Sequence, residues 1–183
     1  MDRASLYDIV AERAPTKNLL NHALAVEAIM RGLARHFHED AEKWGIAGLV
    51  HDIDYGETKD KPNLHSIVGA EQLYLMGVPE DVCYAVRVHS PTHGLPRKSL
   101  MDKALYAADP LSGLIVACAL IQPRKKLEDV DVDFVMMRFK EKRFAAGANR
   151  DQILVCQEMG LDVYDFISIG LSAMQAISSE IGL

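Results

Sequence analysis

Apolar residues recur every three to four positions along nearly the whole 183-residue chain, and no stretch alternates convincingly at a period of two. That pattern repeats the buried face of an α-helix and offers nothing from which to build a sheet. It is clearest over residues 18–37, where Leu19, His22, Val26, Ile29, Leu33 and Phe37 line one stripe behind the cap chemistry of Thr16-Lys17-Asn18. Pro15 closes a first helix over Ser5–Ala14, and a third runs from near Asp40 through Trp44 and Leu49 into His51-Asp52. Asn63 is the expected cap of a helix carrying His65, Gly69, Leu73 and Met76, ended by Gly77; Pro79 suits the first turn of the next, which ends at His89. Ser99 opens an apolar segment reaching Ile121, in which Pro110 and Gly113 predict a break or kink. Short helices over Asp133–Lys142 and Asn149–Met159 follow, and Asp162 caps a last one to Ser179. The segments DIDYGETKDKPN and SPTHGLPRK read as solvated loops. The expected fold class is all-α, a single domain over residues 1–183 with about nine helices.

Charge limits the partners. Lys and Arg number 20 against 26 Asp and Glu, a net charge of −6, and no basic run can track a phosphate backbone, which argues against a nucleic-acid polymer as partner. A small anionic substrate stays open, because a bound metal reverses the local field of an acidic protein. The three cysteines, Cys83, Cys118 and Cys156, are far apart and odd in number, and read as reduced thiols. The start, MDRASLYDIVAERAP, carries no export signal, and no unbroken apolar run reaches the length of a membrane span, so a cytoplasmic chain with no membrane partner is expected. The last helix is apolar over more than one face, through Phe166, Ile167, Ile169, Leu171, Met174 and Ile177. It must be buried in the domain or meet a second copy, so the chain is a monomer or a homodimer.

Histidines and acids mark the chemistry. His36 and His38 sit at the polar end of a helix, whereas His22 lies inside an apolar stripe, His65 begins another, and His89 follows Val82 and Val86 at helical spacing. One such histidine alone is an ordinary hydrogen-bonded core residue; three on separate helices together with a His-Asp doublet are harder to dismiss. Asp52 and Asp109 are embedded in the apolar stretches AGLVHDI and LYAADPL, each where a helix is expected to end. A carboxylate there opposes the helix dipole and is costly if unpaired, so each calls for a cation. A metal ion supplies one; buried salt bridges to Lys103 or Arg87 are the alternative.

Taken in chain order, His22, His51-Asp52, His65, His89 and Asp109 resemble the HD-domain metal-dependent phosphohydrolases. The minimal H…HD…D pattern of that family is matched by His22, His51, Asp52 and Asp109, and His65 and His89 match the added histidines of its two-metal branch. The stretch HSIVGAEQLYLMGVPEDVCYAVRVHSPTHGLPRKSLMDKALYAADPL is similar to bacterial HD-domain diadenosine-tetraphosphate hydrolases. The resemblance covers residues 18–121 and leaves the C-terminal helices, 125–183, without a motif. It implies an HD-type helical bundle around a central binuclear site. His22, His51, Asp52 and Asp109 would hold one divalent ion, and Asp52 would bridge to a second held by His65 and His89. Imidazole and carboxylate suit Fe, Mn, Co or Zn, with Mg also possible. The chain departs from related patterns: HDxxED is replaced by HDIDYGE, the GYP signature is absent, and His89 is followed by Ser90 and not by another histidine.

The implied reaction is attack of a metal-activated hydroxide on a phosphoester or phosphoanhydride of a nucleotide or other small phosphorylated metabolite. Asp52 and Lys103 are the expected catalytic groups, with His93, Arg97 and Lys103 on the substrate. Asp54 and Glu57 are candidates for orienting the imidazoles. Two other classes use the same ligands: an HD-type di-iron oxygenase, and a non-catalytic metal or nucleotide-binding module.

Overall fold

The computed structural model describes residues 1–183 and is helical throughout, with no strand. The α-helices are α1 (Arg3–Arg13), α2 (Lys17–His36), α3 (Ala41–Val50), α4 (Tyr55–Thr58), α5 (Ile67–Leu75), α6 (Glu80–Val88), α7 (Leu100–Leu120), α8 (Val132–Lys140), α9 (Arg150–Ile153), α10 (Val163–Ala176) and α11 (Ser178–Ile181). Short 3₁₀ turns at Pro91–His93, Leu127–Asp129 and Leu154–Met159 complete the chain. One contiguous core of 47 buried residues runs through the bundle.

The starts of the helices follow from local chemistry. Asp2, Thr16, Asp40, Ser99, Asp131, Asn149 and Asp162 each accept a backbone N–H of the helix they precede. At Ser99 the bond is reciprocated by Asp102, a capping box. Helix α7 packs against α2, α6, α8, α9 and α10 and forms the centre of the bundle. By length and mean hydropathy, 1.3, it alone would be able to cross a membrane; here it is the core helix, mostly buried and carrying Asp102, Lys103 and Asp109. Helices α2 and α3 cross so closely that a Cβ added at Gly48 would lie 2.8 Å from backbone atoms of Val26 and Glu27. Helix α1 is tied to α2 by Arg3, which donates to the buried Glu27 carboxylate at 2.6 and 2.9 Å.

Three expectations need correction. Helix α7 is continuous through Pro110 and Gly113. Proline removes one donor from the ladder, but Leu105, Ala107, Ala108, Leu111 and Leu114 around it are fully buried, and that packing carries the helix past it. Asp109 is therefore mid-helix and not at a helix end. The helix expected to begin at Asn63 begins at Ile67 behind Ser66, whose φ is 69°. Finally, DIDYGETKDKPN is not wholly solvated: Ile53, Asp54 and Thr58 are buried, and α4 forms within it. In α10, Phe166, Ile167, Leu171 and Met174 are buried in the core.

Candidate metal centre

Four histidines and two aspartates from five parts of the chain converge at one point. His22 comes from the second turn of α2, His51 and Asp52 from the end of α3, His65 from the turn before α5, His89 from the end of α6, and Asp109 from the middle of α7. His22 Nε2 lies 3.2 Å from His51 Nε2 and 3.2 Å from Asp109 Oδ1. Asp52 turns its two oxygens in different directions: Oδ1 lies 3.3 Å from His65 Nε2 and 3.4 Å from His89 Nε2, while Oδ2 lies 3.5 Å from His51 Nε2 and 3.9 Å from His22 Nε2. Two overlapping triads, His22–His51–Asp109 and His51–Asp52–His89, each bring their ligand atoms within 4.8 Å of one another.

The other ring nitrogen of every histidine is already committed. His51 Nδ1–H donates to the Gly48 carbonyl at 2.8 Å, and His89 Nδ1–H to the Val86 carbonyl at 2.6 Å. His22 Nδ1–H donates at 3.0 Å to the Ser112 hydroxyl, which itself donates to the Asp109 carbonyl at 2.8 Å. His65 Nδ1–H donates to Asp54 Oδ1 at 3.0 Å. A neutral imidazole with its proton on Nδ1 presents a lone pair at Nε2. With all four rings neutral, four lone pairs and two carboxylates would face one another, and His22 Nε2 and His51 Nε2 would have no hydrogen to share across their 3.2 Å gap. Such a constellation needs protons or cations to hold it. The donor set of imidazole and carboxylate, each imidazole oriented through its far nitrogen, fits divalent transition metals.

Electrostatics agree. Burial works against a charged His22, but the hydrogen bond and charge of Asp109, reinforced by Asp52, outweigh it and raise its pKa. His65 is pushed up to about 10: burial opposes the shift, and Asp52 and Asp54 overcome it. Burial dominates at His51 and lowers it. Against burial, His51, His65 and His89 hold the Asp52 carboxyl well below its usual range, and His22 lowers Asp109. Both carboxylates are held in the ionised form, and a metal on the His65 side would displace the proton that His65 retains.

Asp54 is the deepest supporting group. Fully buried, it accepts Ser66 N–H at 2.8 Å and Gly69 N–H at 2.9 Å on Oδ2, and His65 on Oδ1. A Cβ at Gly69 would come within 3.1 Å of its carboxyl carbon. Glu57 is exposed and has no part in this network. Ser112 is a supporting residue that sequence reasoning passed over; its only signal is a hydroxyl one turn beyond Asp109 in an apolar helix.

The remaining expected site residues lie outside the six-residue cluster. His93 donates through Nε2 to the His65 carbonyl at 2.7 Å, so it braces the backbone of a cluster residue. Lys103 does not sit beside Asp109. Its ammonium is 3.6 Å from Glu158, and at 3.6 residues per turn it lies two turns back and about 120° around α7. Arg97 lies over the Tyr106 ring at 3.9 Å. A cavity of about 340 Å³ opens at the His22–Asp109 end of the cluster, walled by Pro110, Gly113, Ala145, Gly147 and Ala148.

Residues 19–118 match the HD domain family. Among curated proteins, the chain is 29% identical over 138 residues to a protein named Ribonuclease Y from Desulfotalea psychrophila, covering 74% of this chain and 26% of that protein. It is 31% identical over 98 residues to Ribonuclease Y of Lawsonia intracellularis (54% and 19%) and 28% identical over 142 residues to that of Thermotoga maritima (74% and 27%). The chain spans about a quarter or less of the length of these relatives.

Proposed function

The chain belongs to the HD-domain family, and from that premise we propose that it is a metal-dependent phosphohydrolase acting on a nucleotide or another small phosphorylated metabolite. The observation that carries this reading is Asp52, whose two oxygens are turned toward two separate groups of imidazoles. In this reading His22, His51, Asp52 and Asp109 would hold one divalent ion, and His65 and His89, with Asp52, would hold a second. Fe, Mn, Co and Zn suit the donors, and Mg is possible. When bound, such a pair supplies a water ionised near neutral pH and positive charge for phosphoryl oxygens.

The residues of the chain do the rest. Asp54, Ser112 and the carbonyls of Gly48 and Val86 fix each imidazole with Nε2 inward, so the ligands need no reorientation on binding. Two ionised aspartates against two divalent ions leave about +2 at the site, enough to draw a phosphate to a chain of net charge −6. The 340 Å³ cavity beside His22 and Asp109 falls in the size range of small-molecule sites, roughly 300–1,000 Å³, which favours one nucleotide-sized ligand.

A second reading, cleavage of an RNA phosphodiester, is favoured by relatives that bear the name Ribonuclease Y. One panel separates the two: phosphate or nucleotide release from mono-, di- and dinucleoside polyphosphates and from a short RNA, with Mn²⁺, Fe²⁺ or Co²⁺. Release from the small compounds at higher kcat/KM supports the first reading, and preference for the RNA supports the second. Oxygen uptake with no phosphoester cleaved would overturn both.

A further inference from the structure

Arg97 is a cation without an anion. Seven arginines are half-buried, and six of them have a hydrogen-bond acceptor or a carboxylate partner: Arg3, Arg13, Arg31, Arg87, Arg138 and Arg150. Arg97 has neither, and its Nε, like that of Arg138, is buried without a partner. Carboxylates are in excess in this chain, 26 against 20 bases, so a shortage of partners does not explain it. The guanidinium is nevertheless fixed, 3.9 Å over the ring of Tyr106. The segment bearing it is pinned on both sides: Tyr84 Oη donates to the Pro96 carbonyl at 2.8 Å, and the N–H groups of Lys98 and Ser99 donate to Asp102 at 2.8 and 3.0 Å.

Its place in the fold gives that cation a purpose. Tyr106 is one helical turn before Asp109 on α7, on the side from which Pro110 and Gly113 line the cavity. Through its stacking on Tyr106, Arg97 stands toward the N-terminal end of α7 from Asp109, outside the cavity lining, and it bonds to none of the six cluster residues. A planar guanidinium held by stacking keeps its in-plane N–H fork for an oxyanion and loses little freedom on binding one.

We propose that Arg97 receives a second anionic group of the substrate, beyond the phosphoryl group held at the cluster. The preferred substrate then carries consecutive phosphoryl groups, as nucleoside di- and triphosphates do. This rests on the phosphohydrolase reading above. The test compares the Mn²⁺-loaded wild type with Arg97→Met and Arg97→Lys on ADP and on p-nitrophenyl phosphate, and titrates inorganic pyrophosphate into each calorimetrically. Arg97→Met should lower the ratio of kcat/KM for ADP to that for p-nitrophenyl phosphate by roughly ten- to hundredfold, through KM, and weaken pyrophosphate by a similar factor. Arg97→Lys should recover part of both. Equal losses on the two compounds, or unchanged pyrophosphate affinity, overturn the proposal. If the wild type cleaves neither compound, the hydrolase reading fails on its own, and the pyrophosphate titration still decides the role of Arg97. Should Arg97→Met lose its metal or its fold, Arg97→Gln carries the same comparison.

Discussion

Replacing Asp54 by asparagine removes one oxygen and leaves the shape of the side chain almost unchanged. Asp54 serves three donors: Ser66 N–H at 2.8 Å, Gly69 N–H at 2.9 Å, and His65 Nδ1–H at 3.0 Å. Asparagine offers one acceptor oxygen and one NH₂ group. Two backbone donors outweigh one ring donor, so the oxygen turns toward Ser66 and Gly69 and the NH₂ toward His65. The ring then has to accept at Nδ1, and its proton moves to Nε2, the atom that faces Asp52 at 3.3 Å. A protonated Nε2 cannot ligate. Losing a charge-assisted hydrogen bond is worth about 1.5–3 kcal/mol, which becomes roughly ten- to hundredfold in affinity for the ion on the His65–His89 side. The ion on the His22–His51–Asp109 side should bind within about threefold of wild type, since none of its ligands touches Asp54. Competition against a chelator, with metal counted by mass spectrometry, reads both constants, and ¹⁵N chemical shifts of the histidines report the tautomer. Wild-type affinity at both sites in a folded Asp54→Asn protein would refute the reasoning, as would a His65 that keeps its proton on Nδ1.

Three other outcomes follow from the same geometry. Gly48→Ala forces α2 and α3 apart, because the added carbon would meet Val26 and Glu27 backbone at 2.8 Å; overpacking of this kind costs about 1–3 kcal/mol, so the melting temperature should fall by several degrees, and metal affinity should fall with it as His22 and His51 separate. His65→Ala and His89→Ala should each reduce bound metal toward one ion per chain by elemental analysis; two ions retained in both would remove the second site. In chelator-treated protein, His65 has its pKa raised to about 10 from an unfolded value of about 6.5. The sign is that of a group binding its proton more tightly when folded. Its contribution to stability is fully present below about pH 6.5 and lost as pH rises through about 10, so thermal stability should decline across that window; a flat profile in the metal-free protein would contradict the assigned network.

Much of the site was legible because its residues break the local pattern. His22 interrupts an apolar stripe, and Asp52 and Asp109 lie in apolar stretches where an ionised group has to be compensated. Asp109 needs its cation for a reason other than a helix end. It was expected to oppose a helix dipole at a helix end, whereas α7 runs on to Leu120 and the demand for a cation comes from the converging lone pairs. Asp54 was harder to read, since DIDYGETKDKPN has the composition of a solvated loop. Its burial depends on the backbone donors of Ser66 and Gly69, twelve and fifteen residues away. For Lys103, nothing in the sequence announces Glu158, which arrives from a distant turn and pairs with it. The wall formed by Ala145, Gly147 and Ala148 had no signal at all: Arg150 organises that turn by donating to six backbone carbonyls, from Arg138 to Ala148, and no motif announces such an arrangement.

Asp52 faces both groups of imidazoles, so on the proposed function both metal binding and phosphoester cleavage depend on it. The deciding experiment counts metal and hydrolysis together in wild type and Asp52→Ala after reconstitution with Mn²⁺. The wild type should retain two ions per chain and release phosphate or nucleotide from a small phosphoester; Asp52→Ala should lose both ions and the activity while keeping its helical circular dichroism. Full metal content in Asp52→Ala, or phosphoester cleavage by the wild type that survives complete removal of metal, would contradict the account.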